Sequence, residues 1–149
     1  SKNPYKILVS GRTKHYTSAF GEHVIAFEVE EALKATLQKF PAKITEFHLA
    51  PQVTAENELP YHEWFIEFEE EPQDLAKFKE ELDHQLRSRN TYYDDLISGN
   101  ILQQLKISTL KKNAFNEYAK SQGKLGGQNK TPRLANDRKL ADLLEIYTK

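Results

Sequence analysis

Two lysines, an arginine and three glycines crowd the stretch Gly123-Lys124-Leu125-Gly126-Gly127-Gln128-Asn129-Lys130-Thr131-Pro132-Arg133-Leu134. Glycine relaxes the backbone and Pro132 stiffens the exit. Such a loop presents N–H groups and fixed positive charge together, which suits a phosphate or a carboxylate. It is not a Walker loop, because no Gly-Lys-Ser/Thr follows the glycines and no strand leads in. The plain alternative is a solvated connection between two helices.

Other chemistries find less support. The histidines are His15, His23, His48, His62 and His84, with no pair at i, i+4 and no His-Glu-x-x-His run, so no metal site is expected. His48 and His62 could meet across a strand pair, where two imidazoles on an open face are ordinary exposed polar positions. Without cysteine there is no thiolate nucleophile, disulfide or sulfur-ligated metal, and no Gly-x-Ser-x-Gly elbow occurs. Glu69-Glu70-Glu71 could suggest carboxylate catalysis, but neighbouring acids at a strand end normally point into water. Trp64, Phe65 and Phe68 together with a basic segment resemble a base-stacking sheet. Glu63, Glu67 and Glu69 on the same strand would repel a phosphate backbone, so nucleic acid is not the expected partner.

The charge is unevenly spread although the net is only −1 over 149 residues. Tyr61 to Asp83 holds nine acids against two lysines, and Lys106 to Lys139 holds nine bases against two acids. The basic block is the better place for an anionic ligand. No apolar run approaches the roughly 20 residues of a membrane span and no signal peptide opens the chain, so no membrane partner and a cytoplasmic location are expected. The chain has no methionine, and residues 4–10 already read as strand, as in a piece of a longer protein.

The elements that must position the loop follow from periodicity. Tyr5 to Val9 reads as a strand, Gly11 to Lys14 as a turn and His15 to Ser18 as a returning arm. Ala26, Val29, Leu33, Leu37 and Phe40 predict a helix from Ala26 to Lys39, stopped by Pro41. Phe47, Leu49, Pro51 and Val53 alternate with Glu46, His48 and Gln52. A turn around Asn57–Pro60 leads to a second strand, Tyr61 to Glu69, with Trp64, Ile66 and Phe68 on one side, giving an antiparallel pair with one covered face. Pro72 fits the first turn of a helix carrying Leu75, Phe78, Leu82 and Leu86. Tyr92, Tyr93, Leu96 and Ile97 form a short helix ended by Gly99, Leu102 to Leu110 reads as a third long strand, and a helix from Ala114 ends at Gly123. The last helix, Asn136 to Tyr147, turns Leu140, Leu143, Leu144 and Tyr147 inward, with Asn136 or Asp137 as cap. The order β-β-α-β-β-α-α-β-α-α predicts one α+β domain over residues 1–149, helices packed on a mainly antiparallel sheet.

One stretch has a recognisable layout. Gly-Arg, a lysine soon after and then Gly-Glu-x-Val before an acid-rich helix is similar to the motif after the hinge of adenylate-forming enzymes. Ser10-Gly11-Arg12-Thr13-Lys14-His15 with Ala19-Phe20-Gly21-Glu22 resembles the bacterial branch of the GH3 (auxin-responsive promoter) family. Gly123 to Arg138 resembles that family's C-terminal signature, whose core places are filled by Gln128, Lys130, Pro132 and Arg133.

The resemblance implies the small C-terminal lid domain of an acyl acid–amido synthetase, a ligase using ATP and Mg²⁺ to adenylate a carboxylic acid and pass the acyl group to an amino acid. The partners implied are the protein's own N-terminal domain, absent here, and those two small substrates. It implies Lys130 as the catalytic cation, with Lys124 as the other candidate. Arg12, Lys14, Glu22 and His23, with Gly126, Gly127, Gln128 and Arg133, are expected at the nucleotide or the domain interface. The plain alternative for Arg12 is a salt bridge on the Glu22/Glu28 side. The competing readings are a stand-alone anion- or RNA-binding module and the lid of an acyl-CoA ligase.

Overall fold

The computed structural model describes residues 16–17, 22, 24–53, 58–121 and 133–149, the first two by backbone alone. The expected strand Tyr5–Val9, its turn, and the loop from Gly123 to Pro132 lie outside the described residues. Strand β1 (Tyr16–Thr17) pairs antiparallel with β2 (Val24–Ile25), opposing Tyr16 to Ile25 and Thr17 to Val24.

Helix α1 (Ala26–Lys39) has the bounds its periodicity gives, burying Val29, Ala32, Leu33 and Thr36. The Glu28 carboxylate accepts the Ile25 N–H at 3.1 Å, satisfying one donor that a helix start would leave open. Pro41 lies just past its end. Strand β3 (Lys43–Gln52) pairs antiparallel with β4 (Tyr61–Glu70), with a register irregularity between Lys43 and Glu46. Helix α2 (Leu75–Arg89) starts at an Asp74 cap that accepts the Lys77 N–H at 3.1 Å, so Pro72 lies before the helix, not in its first turn. Helix α3 (Thr91–Ser98) follows an Asn90 cap and ends at Gly99. Strand β5 (Lys106–Leu110), helix α4 (Ala114–Ser121), helix α5 (Lys139–Leu144) and a 3-10 turn over Glu145–Tyr147 complete the chain.

The α+β architecture matches its expectation, but the sheet is mixed. β3 and β4 are antiparallel, whereas β5 runs parallel to β4, with Trp64 opposite Ile107 and Glu67 opposite Leu110. The cause is connectivity: α2 and α3 form the crossover that a parallel neighbour requires. β5 is also shorter than Leu102–Leu110. Leu102 and Leu105 are buried before it begins, and the Leu105 N–H reaches Asp83 Oδ1 at 3.4 Å. At the other edge Leu134 bridges Leu49 in parallel, with Leu49 N–H donating to Arg133 O at 2.7 Å and Ala135 N–H to Leu49 O at 3.1 Å.

Both faces of β4 are covered, not one. Phe47, Leu49, Trp64, Ile66 and Phe68 pack with α1, α2 and α3 residues such as Val29, Leu33, Phe78, Leu82, Leu86 and Tyr93. Phe65 and Ala50 face a second, smaller core with Leu110, Ala114, Phe115, Ala141 and Leu144. The consecutive apolar run Trp64-Phe65-Ile66 is the sequence form of a strand buried twice. Burying each such side chain is worth about 1.5–3 kcal/mol. In the final helix, Leu143 is exposed and not inward, because the helix is six residues long and turns Ala141 and Leu144 to the sheet. The N-cap residue is Arg138, not Asn136 or Asp137, although the Asp137 carboxylate just before it accepts the Lys139 N–H at 3.0 Å.

Candidate functional site

The loop enters from α4 and leaves into Arg133. Lys130, Lys124, Gly126, Gly127 and Gln128 lie outside the described residues, as do Arg12, Lys14 and His23. What is on view is the frame on either side of the loop: helix α4 before it and the residues from Arg133 after it.

The helix that precedes the loop is anchored at its start by an acid on the sheet. Glu67 is buried on the second face of β4, and its two oxygens accept the Asn113 N–H at 2.8 Å and the Phe115 N–H at 3.0 Å. A carboxylate borrowed from a strand therefore caps α4, where helix-end donors and the positive end of the helix dipole both favour it. Asn113 has φ 74°, the left-handed conformation asparagine tolerates better than most residues, which aims the chain into that cap.

The exit is set by Arg133. Its Nε donates to Glu46 Oε1 on β3 at 2.8 Å and its Nη1 to Glu30 Oε2 on α1 at 3.1 Å. The guanidinium carbon lies 5.0 Å from the Phe47 ring centroid, a cation–π contact. Partial burial works against the charge on Arg133, but Glu46 and Glu30 outweigh it and hold its pKa above the ordinary value. Five residues on, Arg138 donates to Glu63 at 2.9 Å, to Asp142 at 3.1 Å and to Glu145 at 2.8 Å, over the Phe65 ring. Glu63 also accepts the Ser108 hydroxyl at 2.5 Å. Glu63 and Glu67, expected as repulsive surface acids, are thus internal struts. Sequence carried one faint sign of this: acids on both sides of Phe65 in a strand too apolar to have a wet face.

A second polar group lies under α2 and α3. Glu22 and His62 are both fully buried, with His62 Nε2 2.5 Å from Glu22 Oε2. The His62 ring stacks on Tyr93 at 5.1 Å, and the Tyr93 hydroxyl donates to Asp83 Oδ1 at 2.5 Å. Burial pushes the Asp83 carboxyl above its usual range, against the lowering effect of the Tyr93 and Leu105 hydrogen bonds. Asn90 ties this group to α1 by donating to Glu28 at 2.9 Å. His48 and His62 do not meet: His48 stands opposite Phe65 and His62 opposite Pro51, placing them on opposite faces of the sheet. Both are buried, so neither is the exposed polar position that alternation suggested.

An open groove of about 630 Å³ along β5 is lined by Glu63, Glu71, Ser108, Glu145 and Lys149 among others. Three carboxylates make it unsuited to phosphate.

The family model for the GH3 family C-terminal domain matches residues 27–139. The chain belongs to the GH3 family. Among solved structures, a GH3.15 acyl acid amido synthetase aligns with TM-score 0.71 at 14% identity, covering 92% of this chain and 26% of that one. An AtGH3.15 acyl acid amido synthetase in complex with 2,4-DB aligns with TM-score 0.69 at 17% identity, covering 91% and 26%. No curated protein matches the chain. At these identities the structural likeness establishes the shared GH3 C-terminal fold, and the chain spans about a quarter of the structures it matches. Glu22 lies just outside the family match, whereas the loop and both anchoring arginines fall within it.

Proposed function

We propose that this GH3 chain is a single C-terminal lid domain of a cytoplasmic ATP-dependent acyl acid–amido synthetase, working against an N-terminal domain of the same polypeptide. The observation that carries this reading is the family match over residues 27–139, supported by a fold shared with acyl acid amido synthetases. In the reaction a substrate carboxylate oxygen attacks the α-phosphorus of ATP, and pyrophosphate leaves. The amine of an amino acid then attacks the acyl carbon, AMP departs, and the amine gives up its proton. ATP with Mg²⁺ supplies the activated phosphorus.

Negative charge builds on the α-phosphate and the departing pyrophosphate in the first step. A cation delivered by closure of a lid stabilises that charge most where water has been expelled. Lys130 is the residue assigned that task, with Lys124 the other lysine in reach of the same loop. Gly126, Gly127 and Gln128 are assigned as backbone and amide donors, and Arg12, Lys14 and His23 are assigned to the nucleotide or the domain interface. The frame suits this use, since the start of α4, the helix before the loop, and Arg133, the residue after Pro132, are each held by carboxylates of the domain itself.

The test is ATP–pyrophosphate exchange by the full-length enzyme. Lys130→Ala slows exchange at least tenfold, about 1.4 kcal/mol or more of transition-state stabilisation. Exchange at the wild-type rate removes the assignment. The isolated 149 residues are expected to bind ATP barely or not at all, and tight binding by calorimetry would favour a stand-alone anion-binding module. Formation of a thioester with coenzyme A in place of an amide would favour an acyl-CoA ligase.

A further inference from the structure

We infer that Arg133 is a positioning residue that clamps the exit of the glycine-rich loop, not a ligand of the nucleotide. This rests on the adenylation reading above and changes the part Arg133 plays in it. The guanidinium is committed three ways inside the domain. It bonds Glu46 on β3 at 2.8 Å and Glu30 on α1 at 3.1 Å, and it lies over the Phe47 ring at 5.0 Å. Its own backbone is committed as well: Leu49 N–H donates to Arg133 O at 2.7 Å, and the next residue, Leu134, forms an isolated parallel bridge to Leu49.

Two carboxylates on one guanidinium leave no surplus positive charge there for a phosphate. Moving the side chain to a nucleotide would strand Glu46, whose side chain is 26% exposed, without its ion-pair partner. Lys130 stands three residues upstream in the sequence. Three residues of chain span at most about 10 Å, so fixing Arg133 fixes the volume that the lysine can search. A catalytic cation searching less space reaches the productive position more often, an effect on kcat and not on ATP binding.

The discriminating variant is E30Q/E46Q, which keeps the shape and the arginine but removes both anchoring charges. Neither carboxylate is placed to touch a nucleotide phosphate favourably, so a direct role for Arg133 predicts no loss from this change. The clamp predicts a kcat for ATP–pyrophosphate exchange at least fivefold lower, with KM for ATP within twofold of wild type. Arg133→Ala should match it, and the charge-swapped pair R133E/E46R should recover part of the loss. In the 149-residue chain, hydrogen exchange at the Leu49 and Ala135 amides should quicken at least fivefold in E30Q/E46Q while the Phe65 amide stays protected. Unchanged exchange at those two amides overturns the clamp. So does an Arg133→Ala enzyme with KM for ATP raised fivefold or more beside an E30Q/E46Q enzyme of wild-type kcat. A wild-type enzyme with no pyrophosphate exchange would sink the functional reading, and the amide measurement would still decide the clamp.

Discussion

Removing the Glu67 carboxylate should cost stability through one helix end. The Phe115 N–H that it accepts is buried, so Glu67→Ala strands a donor with nothing to replace the bond, a loss of about 2 kcal/mol for a charge-assisted contact. The Asn113 N–H is partly reachable by water and adds about 1 kcal/mol. Loss of a charge at the positive end of α4 adds roughly 0.5 kcal/mol. The total for Glu67→Ala is about 3.5 kcal/mol. Glu67→Gln keeps one acceptor oxygen but turns an NH₂ group towards the other donor, so about 2 kcal/mol is expected. Urea denaturation of the 149-residue chain reads both values, with an unchanged slope marking an intact unfolding transition. A Glu67→Gln change below about 0.5 kcal/mol would refute the cap, since no buried donor shared with a carboxylate could lose its partner so cheaply.

Asp83→Asn should flatten the dependence of stability on pH. The folded pKa of Asp83 lies above its ordinary value, so the wild type has the full benefit of this group below about pH 4 and loses it as pH rises through the folded pKa. The Asn variant keeps an oxygen for the Tyr93 hydroxyl and the Leu105 N–H, so its stability relative to wild type should rise across that window; denaturation at pH 4 and 7 compares them. Asp74→Ala should cost about 1 kcal/mol by loss of the α2 cap, read by thermal unfolding. Leu82→Ala, in the fully buried larger core, should cost about 2–5 kcal/mol in the same assay. Arg138→Met should cost more than a surface ion pair would, about 2–3 kcal/mol, because it leaves the largely buried Glu63 without its charge partner.

Helix α1 was fully legible because five apolar residues keep one helical period and a proline closes it. The β3–β4 pair was legible for the same reason in the strand period. The direction of β5 was not, since a five-residue strand looks alike whichever way it runs, and only the path of α2 and α3 decides it. The second buried face of β4 was hidden by its acids. Glutamate in a strand reads as solvent-facing, and the donors that make Glu63 and Glu67 tolerable inside come from residues 45 or more positions away, beyond any local pattern. The same distance concealed Arg133, whose partners stand 87 and 103 residues earlier. The resemblance to the GH3 family agrees with the family match over residues 27–139, while the job of each side chain in the frame needed the fold.

The two sides of the sheet are unequal, and α4 and α5, which flank the loop, sit on the smaller one. Regions with fewer apolar contacts open at lower free energy than the rest of a domain. In the proposed synthetase, mild heating or a conservative lesion near Phe115 or Ala141 would therefore silence the enzyme while its circular dichroism still reports a folded protein. Thermal inactivation should then precede global melting, and a stabilising substitution in the α1–α2 layer would raise the melting temperature without extending working life.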